Sequence, residues 1–180
     1  MSDNVIWMVD LDVSATDATN TAEQVKIWLV GQRIVSLIAC QAGGYEHLLT
    51  RGKSAPDWDF FPYARPGSPC GLEIAIERAV YHTGDNGIDG LRCPVCGAIN
   101  QADDLPWSAA VEAWFLSEGD QSLACPVCRA NASILDWEFD MPWGFGELAF
   151  GFWNWPMSDA LLEKMAAITG HRYRVVHEHI

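Results

Sequence analysis

Along this chain the apolar positions switch repeatedly between a period of two and helical spacing, and each switch predicts an element. Val5-Ile6-Trp7-Met8-Val9-Asp10-Leu11-Asp12-Val13 is apolar at first and alternates toward its end, the pattern of a strand. Asn20 and Glu23 form a capping-box pattern ahead of Val25, Ile27, Trp28, Leu29 and Val30, which predicts a helix ended by Gly31. Arg33 to Ala39 predicts a second strand, and Gly71 to Tyr81 a third, because apolar and polar residues alternate at its start, with a short helix as the alternative there. Leu105 to Leu116 carries Trp107, Val111, Trp114 and Phe115 at helical spacing, with Pro106 acceptable in a first turn. Ser133 to Phe139 and Glu147 to Trp155 return to strand patterning, and Pro156 stops the second of these. Ser158 then caps a helix whose apolar face is Leu161, Leu162, Met165 and Ile168. Gly170 closes it, and Arg172 to His177 forms the last strand.

The two ends of the chain therefore share a layout of strand, helix and strand, down to Gly31-Gln32-Arg33 and Gly170-His171-Arg172 after their helices. Such a unit favours parallel or split pairing. The expected fold is α+β: two strand-helix-strand units around one mixed sheet, of which a ferredoxin-like arrangement is one form, with a metal module inserted between them. The expected boundaries are 1–90 and 131–180 for the sheet domain and 91–130 for the insert. Between Cys40 and Cys70, Gly43-Gly44, Pro56, Pro62, Pro66, Gly67 and Pro69 break any long element. Trp58, Phe60, Phe61 and Tyr63 make that stretch too apolar for an ordinary linker, so it either covers the sheet or presents a binding surface. Cys40 and Cys70 are expected as buried free thiols.

The insert is defined by two copies of one tetrapeptide, Cys93-Pro94-Val95-Cys96 and Cys125-Pro126-Val127-Cys128, separated by the twenty-eight residues from Gly97 to Ala124. A tight turn puts two thiolates on one side of the backbone, and two such turns supply the tetrahedral four-sulfur set that zinc prefers. A duplicated pair argues for coordination over thioredoxin-like redox chemistry. The pattern resembles the paired knuckles of zinc ribbons and related zinc-finger proteins, in which a Cys-Pro-x-Cys-Gly turn recurs. Cys93 to Gly97 matches that knuckle in full. The second copy departs from it by placing Arg129 where the glycine stands, which weakens the ideal turn without removing a ligand. The resemblance implies a structural Zn²⁺ on Cys93, Cys96, Cys125 and Cys128, with no open position for water or substrate.

The charge narrows the possible partners. Twenty-four acidic residues against eleven basic ones give a formal net charge of −13, and the basic residues form no stripe. A phosphate backbone needs such a stripe, so direct contact with nucleic acid is not expected, although a zinc-ribbon factor associated with nucleic-acid machinery is one alternative. No apolar run approaches a membrane span, Met1-Ser2-Asp3-Asn4 lacks the basic start of a secretory signal, and the cysteine usage fits a reducing compartment. A cytoplasmic, bacterial, acidic protein that binds a basic protein partner is expected, as an immunity protein or an adaptor. The acidic stretch from Asp136 to Trp155, with Trp137, Trp143, Trp153 and Trp155, suits either a core or a recognition surface.

One enzymatic alternative has named residues. Asp10-Leu11-Asp12-Val13-Ser14 after the first strand resembles the opening motif of haloacid-dehalogenase-like phosphatases, and Gly84-Asp85-Asn86-Gly87-Ile88-Asp89 is similar to their acidic Mg²⁺-binding motif. The resemblance implies Asp10 as nucleophile and Asp12 as general acid, with Ser36 and Lys53 between the two motifs. The Gly-Thr usual after the second Asp is absent. No His-Glu-x-x-His, phosphate-binding glycine loop or nucleophile elbow occurs in the chain. His177 and His179 would share one face of the terminal strand.

Overall fold

The computed structural model describes residues 3–55, 68–84, 87–155 and 157–180. In chain order the elements are β1 (Asn4–Asp10), α1 (Ala18–Gly31), β2 (Val35–Ala39), β3 (Leu49–Arg51), β4 (Gly71–Ala75), β5 (Ala79–Tyr81), β6 (Gly90–Arg92), β7 (Ile99–Gln101), α2 (Trp107–Leu116), β8 (Ser122–Ala124), β9 (Asn131–Ser133), β10 (Glu138–Phe139), β11 (Gly144–Gly146), β12 (Ala149–Trp153), α3 (Asp159–Thr169) and β13 (Tyr173–His179). They fall into two compact units, residues 1–81 with 144–180, and residues 82–143.

The first unit is built on a six-stranded sheet in the order β13-β1-β12-β4-β3-β2. Where a mixed sheet is expected, every pairing is antiparallel. Of the parallel and split arrangements open to a strand-helix-strand unit, the split one is realised: β1 lies between β12 and β13, and three strands separate β1 from β2. The four strands β13-β1-β12-β4 have the order of a ferredoxin-like sheet, and β3 and β2 extend it at one edge.

Strand alternation divides the core between the two faces of this sheet. Met8, Leu72, Phe150 and Phe152 point to the face that packs with Ala18, Ala22, Val25 and Leu29 of α1 and with Leu161 and Met165 of α3. Their spacing along α1, four, three and four residues, keeps one stripe on the sheet. Val5, Trp7, Val9, Ala149 and Val176 form the opposite face with Tyr81. Two indole N–H groups there donate to carboxylates at 2.6 Å, Trp7 to Glu178 and Trp153 to Glu73. Trp7 lies over Gly151, its cross-strand partner, and a Cβ at that glycine would stand 2.5 Å from the Trp7 ring.

Several boundaries differ from the sequence expectation, each for a local reason. Helix α1 starts at Ala18, not after Asn20, because Ser14 Oγ donates to the Asp17 carboxylate and the Ser14 carbonyl accepts the Ala18 N–H. The stretch from Gly71 to Tyr81 is two strands in different sheets, broken at Ile76-Glu77-Arg78, where Arg78 pairs with Glu147. The run expected from Glu147 to Trp155 is the shorter β12, Ala149–Trp153, and β11 precedes it at Gly144–Gly146, a strand the sequence pattern does not predict. The stretch Ser133 to Phe139 contains a 3-10 turn at Ile134–Asp136, which Ser133 caps by accepting the Leu135 N–H. The Ser158 cap and the Gly170 closure of α3 are as expected. Trp58, Phe60, Phe61 and Tyr63, and with them the covering loop, lie outside the described residues. Cys40 and Cys70 are both free, Cys40 buried and Cys70 half-buried.

Candidate metal centre

The unit spanning 82–143 holds two hairpins. Strands β6 and β7 pair antiparallel on either side of Cys93 and Cys96, and β8 and β9 do the same on either side of Cys125 and Cys128. The unit includes β10, which pairs with β6, so the compact body reaches beyond the 91–130 segment to either side. Between the hairpins α2 begins at Trp107, with Pro106 outside the helix as its N-cap.

The two knuckles repeat one backbone design. Cys93 N–H donates to Ala98 O and Gly97 N–H to Cys93 O; Cys125 N–H donates to Ala130 O and Arg129 N–H to Cys125 O. Both turns need a left-handed residue at the end, met by Gly97 at φ +73° and by Arg129 at φ +62°. Arg129 thus adopts the glycine's conformation, and the missing glycine changes the energy of the second turn instead of its shape. Replacing Arg129 with Gly is expected to raise the stability of the metal-loaded unit by about 0.5–1 kcal/mol, read as a thermal midpoint higher by roughly 4 °C. Gly97→Ala should cost a similar amount, since an added Cβ there meets nothing within 4 Å and only the backbone conformation is penalised. An Arg129→Gly midpoint at or below the native one would contradict this account of the turn.

The four sulfurs converge. Their Sγ atoms all lie within 4.8 Å of one another, with Cys93 to Cys128 at 3.9 Å and Cys96 to Cys125 at 3.8 Å. A tetrahedron with metal–sulfur bonds of about 2.3 Å sets its sulfurs about 3.8 Å apart, whereas a disulfide would need about 2.05 Å. The spacing is that of ligands around a cation. Cys93 and Cys125 are buried and Cys96 and Cys128 exposed, so each knuckle contributes one inner and one outer sulfur. No family model, curated protein or solved structure matches the chain. The identification of the centre therefore rests on these distances and on the donor set.

Electrostatics around the sulfurs point the same way. The Cys128 N–H, followed by the Val127 N–H, holds the Cys125 thiol down at about 6. At Cys96 the Ala98 N–H lowers the pKa, but desolvation and the Cys128, Cys93 and Cys125 sulfurs together push it up to about 11. One thiolate is stabilised by backbone dipoles, and ionising a second beside it is unfavourable unless a cation balances the charge. Val95 N–H also points at Cys93 Sγ, at 3.4 Å. The residues present fit a tetrahedral metal ion held by four cysteines.

The acidic residues that resemble a phosphatase motif do something else. Asp10 is 1% exposed, and its Oδ1 accepts the N–H groups of Asp12 and Val13 at 3.0 Å each while Oδ2 meets His171 Nδ1 at 2.8 Å. Asp12 takes a two-pronged contact from the Arg172 guanidinium and also accepts the Arg172 N–H at 2.7 Å. Both carboxylates are committed to tying the β1 end to the turn before β13. These contacts occupy the two carboxylates for which the phosphatase resemblance implies a nucleophile and a general acid. Ser36 lies on β2 and Lys53 in the turn after β3. Asp85 lies outside the described residues, and Asp89 belongs to the metal unit, where its N–H donates to Asp140. His177 and His179 are exposed on β13. The four cysteines form the one metal-ligand cluster among the described residues.

No local pattern announces the Asp12–Arg172 lock, whose partners stand 160 residues apart in the chain. It has a pH signature. Hydrogen bonds from the Arg172 side chain and backbone hold the Asp12 carboxyl at about 2 instead of the ordinary 3.8. A carboxyl lowered on folding contributes stability above its unfolded value and loses it as pH falls through the folded value. The native protein should therefore exceed Arg172→Gln in stability at neutral pH, with the gap closing between about pH 4 and about pH 2. Denaturant titrations across that range check this, and a gap that persists unchanged at pH 2 would refute it.

The tryptophans of the 136–155 stretch divide between core and partial exposure. Trp137 and Trp155 are buried, and Asp136, Glu138 and Asp140 face outward. Phe139 stacks on Trp143 at 4.8 Å, with Trp107 edge-on to Trp143 at 5.5 Å. Phe115 does not join this core. Helix α2 buries Ala110 and Trp114 and leaves Phe115 and Leu116 half exposed, at 50% and 53%. Among the described residues no helix is long and apolar enough to cross a membrane.

Proposed function

We propose that the protein acts by binding another protein, through an acidic unit whose fold is organised by one structural zinc ion on Cys93, Cys96, Cys125 and Cys128. Four thiolates leave zinc no open coordination position, so the ion supplies folding energy and not a reaction centre. The observation that carries the reading is the charge of residues 82–143. They hold ten acidic and two basic residues, a net −8 of the chain's −13, and four thiolates on one Zn²⁺ add about two more negative charges. The same unit exposes Val95, Ile99, Phe115, Leu116, Val127, Leu135 and Met141. Apolar side chains within a field of one sign suit a partner of the opposite sign. That field opposes contact with DNA or RNA. A reducing compartment such as the cytoplasm keeps the four thiols available to the metal.

An immunity protein that blocks a basic toxin and an adaptor both use such a surface, and a toxin encoded beside this gene would separate the two. The test is affinity isolation of the tagged, metal-loaded protein from its own cells, followed by binding of the purified partner. A basic protein whose affinity falls steeply with salt and is lost on chelation is expected. Failure of any protein to bind, or metal-dependent turnover of a phosphate ester, would sink the proposal.

A further inference from the structure

Helix α2 ends in an electrostatic conflict. The last carbonyls of a helix carry partial negative charge and are stabilised by a cation nearby. Here the last turn contains no basic residue, and the chain continues through Ser117, in the left-handed conformation at φ +56°, to Glu118 and Asp120. Asp120 is fixed in place, accepting from the Ser122 N–H at 2.9 Å and its hydroxyl at 2.6 Å. The two basic residues of the unit lie elsewhere: Arg92 pairs with Glu138 and donates to Gly97 O, and Arg129 closes the second knuckle. The Ser117 and Glu118 N–H groups cap the Trp114 and Ala113 carbonyls, and the residues that follow this end of the helix in the chain are acidic and not basic. Glu112, Phe115 and Leu116 share one face of the helix at spacings of three and four, and all three are exposed. The helix packs by the turn that carries Leu135, itself 45% exposed.

We propose that the C-terminal end of α2, with Phe115 and Leu116 at its centre and Glu112, Glu118 and Asp120 around them, seats a partner segment that carries an apolar anchor flanked by lysine or arginine. This rests on the protein-binding reading and adds its place and its chemistry. Two apolar side chains that can be desolvated, ringed by charges of one sign, are the layout of a binding hot spot. The partner's cations would supply what the helix end lacks. A second copy of this chain is a poor occupant, since two molecules of charge −13 repel each other.

The experiment uses the full-length, metal-loaded protein with ¹⁵N labelling and, as probe, a synthetic amphipathic peptide of leucine and lysine, with a leucine and glutamate peptide as control. Amide shifts should concentrate at 112–120 and 134–136, the control should not bind, and the double variant Phe115→Ser, Leu116→Ser should weaken binding about tenfold or more. Glu118→Lys provides an independent arm: it should raise the thermal midpoint of the free protein, by removing the conflict at the helix end, while weakening the peptide. No binding, shifts spread evenly over the acidic surface, or a double variant that binds like the native chain would overturn the placement. Those outcomes leave the broader reading standing, because that reading fails only when the protein isolated from its own cells has no partner.

Discussion

Cys93→Ser is expected to unfold residues 82–143 and leave the six-stranded sheet folded. The unit has two short hairpins, one ten-residue helix and little regular structure besides, and its two inner sulfurs, Cys93 and Cys125, are each 1% exposed. Each hairpin supplies two of the four clustered sulfurs, so a metal held by them would cross-link the two hairpins. Structural zinc in small modules contributes about 10–16 kcal/mol at neutral pH, more than the stability of an ordinary domain, and this energy is available only while all four ligands are present. Serine offers a neutral hydroxyl in place of a thiolate and cannot replace it. Limited proteolysis should therefore cut Cys93→Ser inside 82–143 under conditions where the native chain resists, and the surviving fragments should retain strand signal. Uniform digestion of the whole chain would show that the two units do not fold separately.

The converse change lies in the sheet. Phe150 is fully buried on β12, with Met8 opposite it on β1 and Ile74 on β4. Truncating it to Ala removes most of an aromatic ring from a packed core and should cost about 3–5 kcal/mol. Gly151→Val tests the other face of the same strand. Its first side-chain atom would enter the Trp7 ring at 2.5 Å, and Trp7 cannot yield freely, because it donates to Glu178 and packs against Tyr81 with ring centroids 4.7 Å apart. A cost of about 3 kcal/mol or more is expected. Both variants should destabilise residues 1–81 and 144–180 while the metal content stays at that of the native protein. Loss of the metal alongside the sheet would contradict the division into units.

How far the sequence revealed this molecule follows from which signals are local. The cysteine pairs were legible because two thiols three residues apart in a Pro-containing turn have few other uses, and α3 was legible because Ser158, its apolar stripe and Gly170 all agree. The pairing direction of the sheet was not. A strand-helix-strand pattern is compatible with adjacent or split strands, and only the long-range partners, such as β12 for β1, decide between them. The partners of Asp10 were hidden for the same reason: His171, which meets its carboxylate, stands 161 residues later in the chain. Phe115 was assigned to the apolar face of α2 by spacing alone. The structure gives that face to Ala110 and Trp114, and leaves Phe115 and Leu116 half exposed.

The central claim is that four thiolates and one metal ion organise the acidic unit on which binding depends. The most direct measurement is the amide spectrum of the full-length ¹⁵N-labelled protein, stripped with a high-affinity zinc chelator and then titrated with zinc. The account predicts that stripping collapses the dispersion of residues 82–143 and leaves residues 3–55 and 144–180 in place, with recovery complete at one equivalent of zinc. A stripped protein with the 82–143 amides still dispersed, or recovery that needs more than one equivalent, would contradict it.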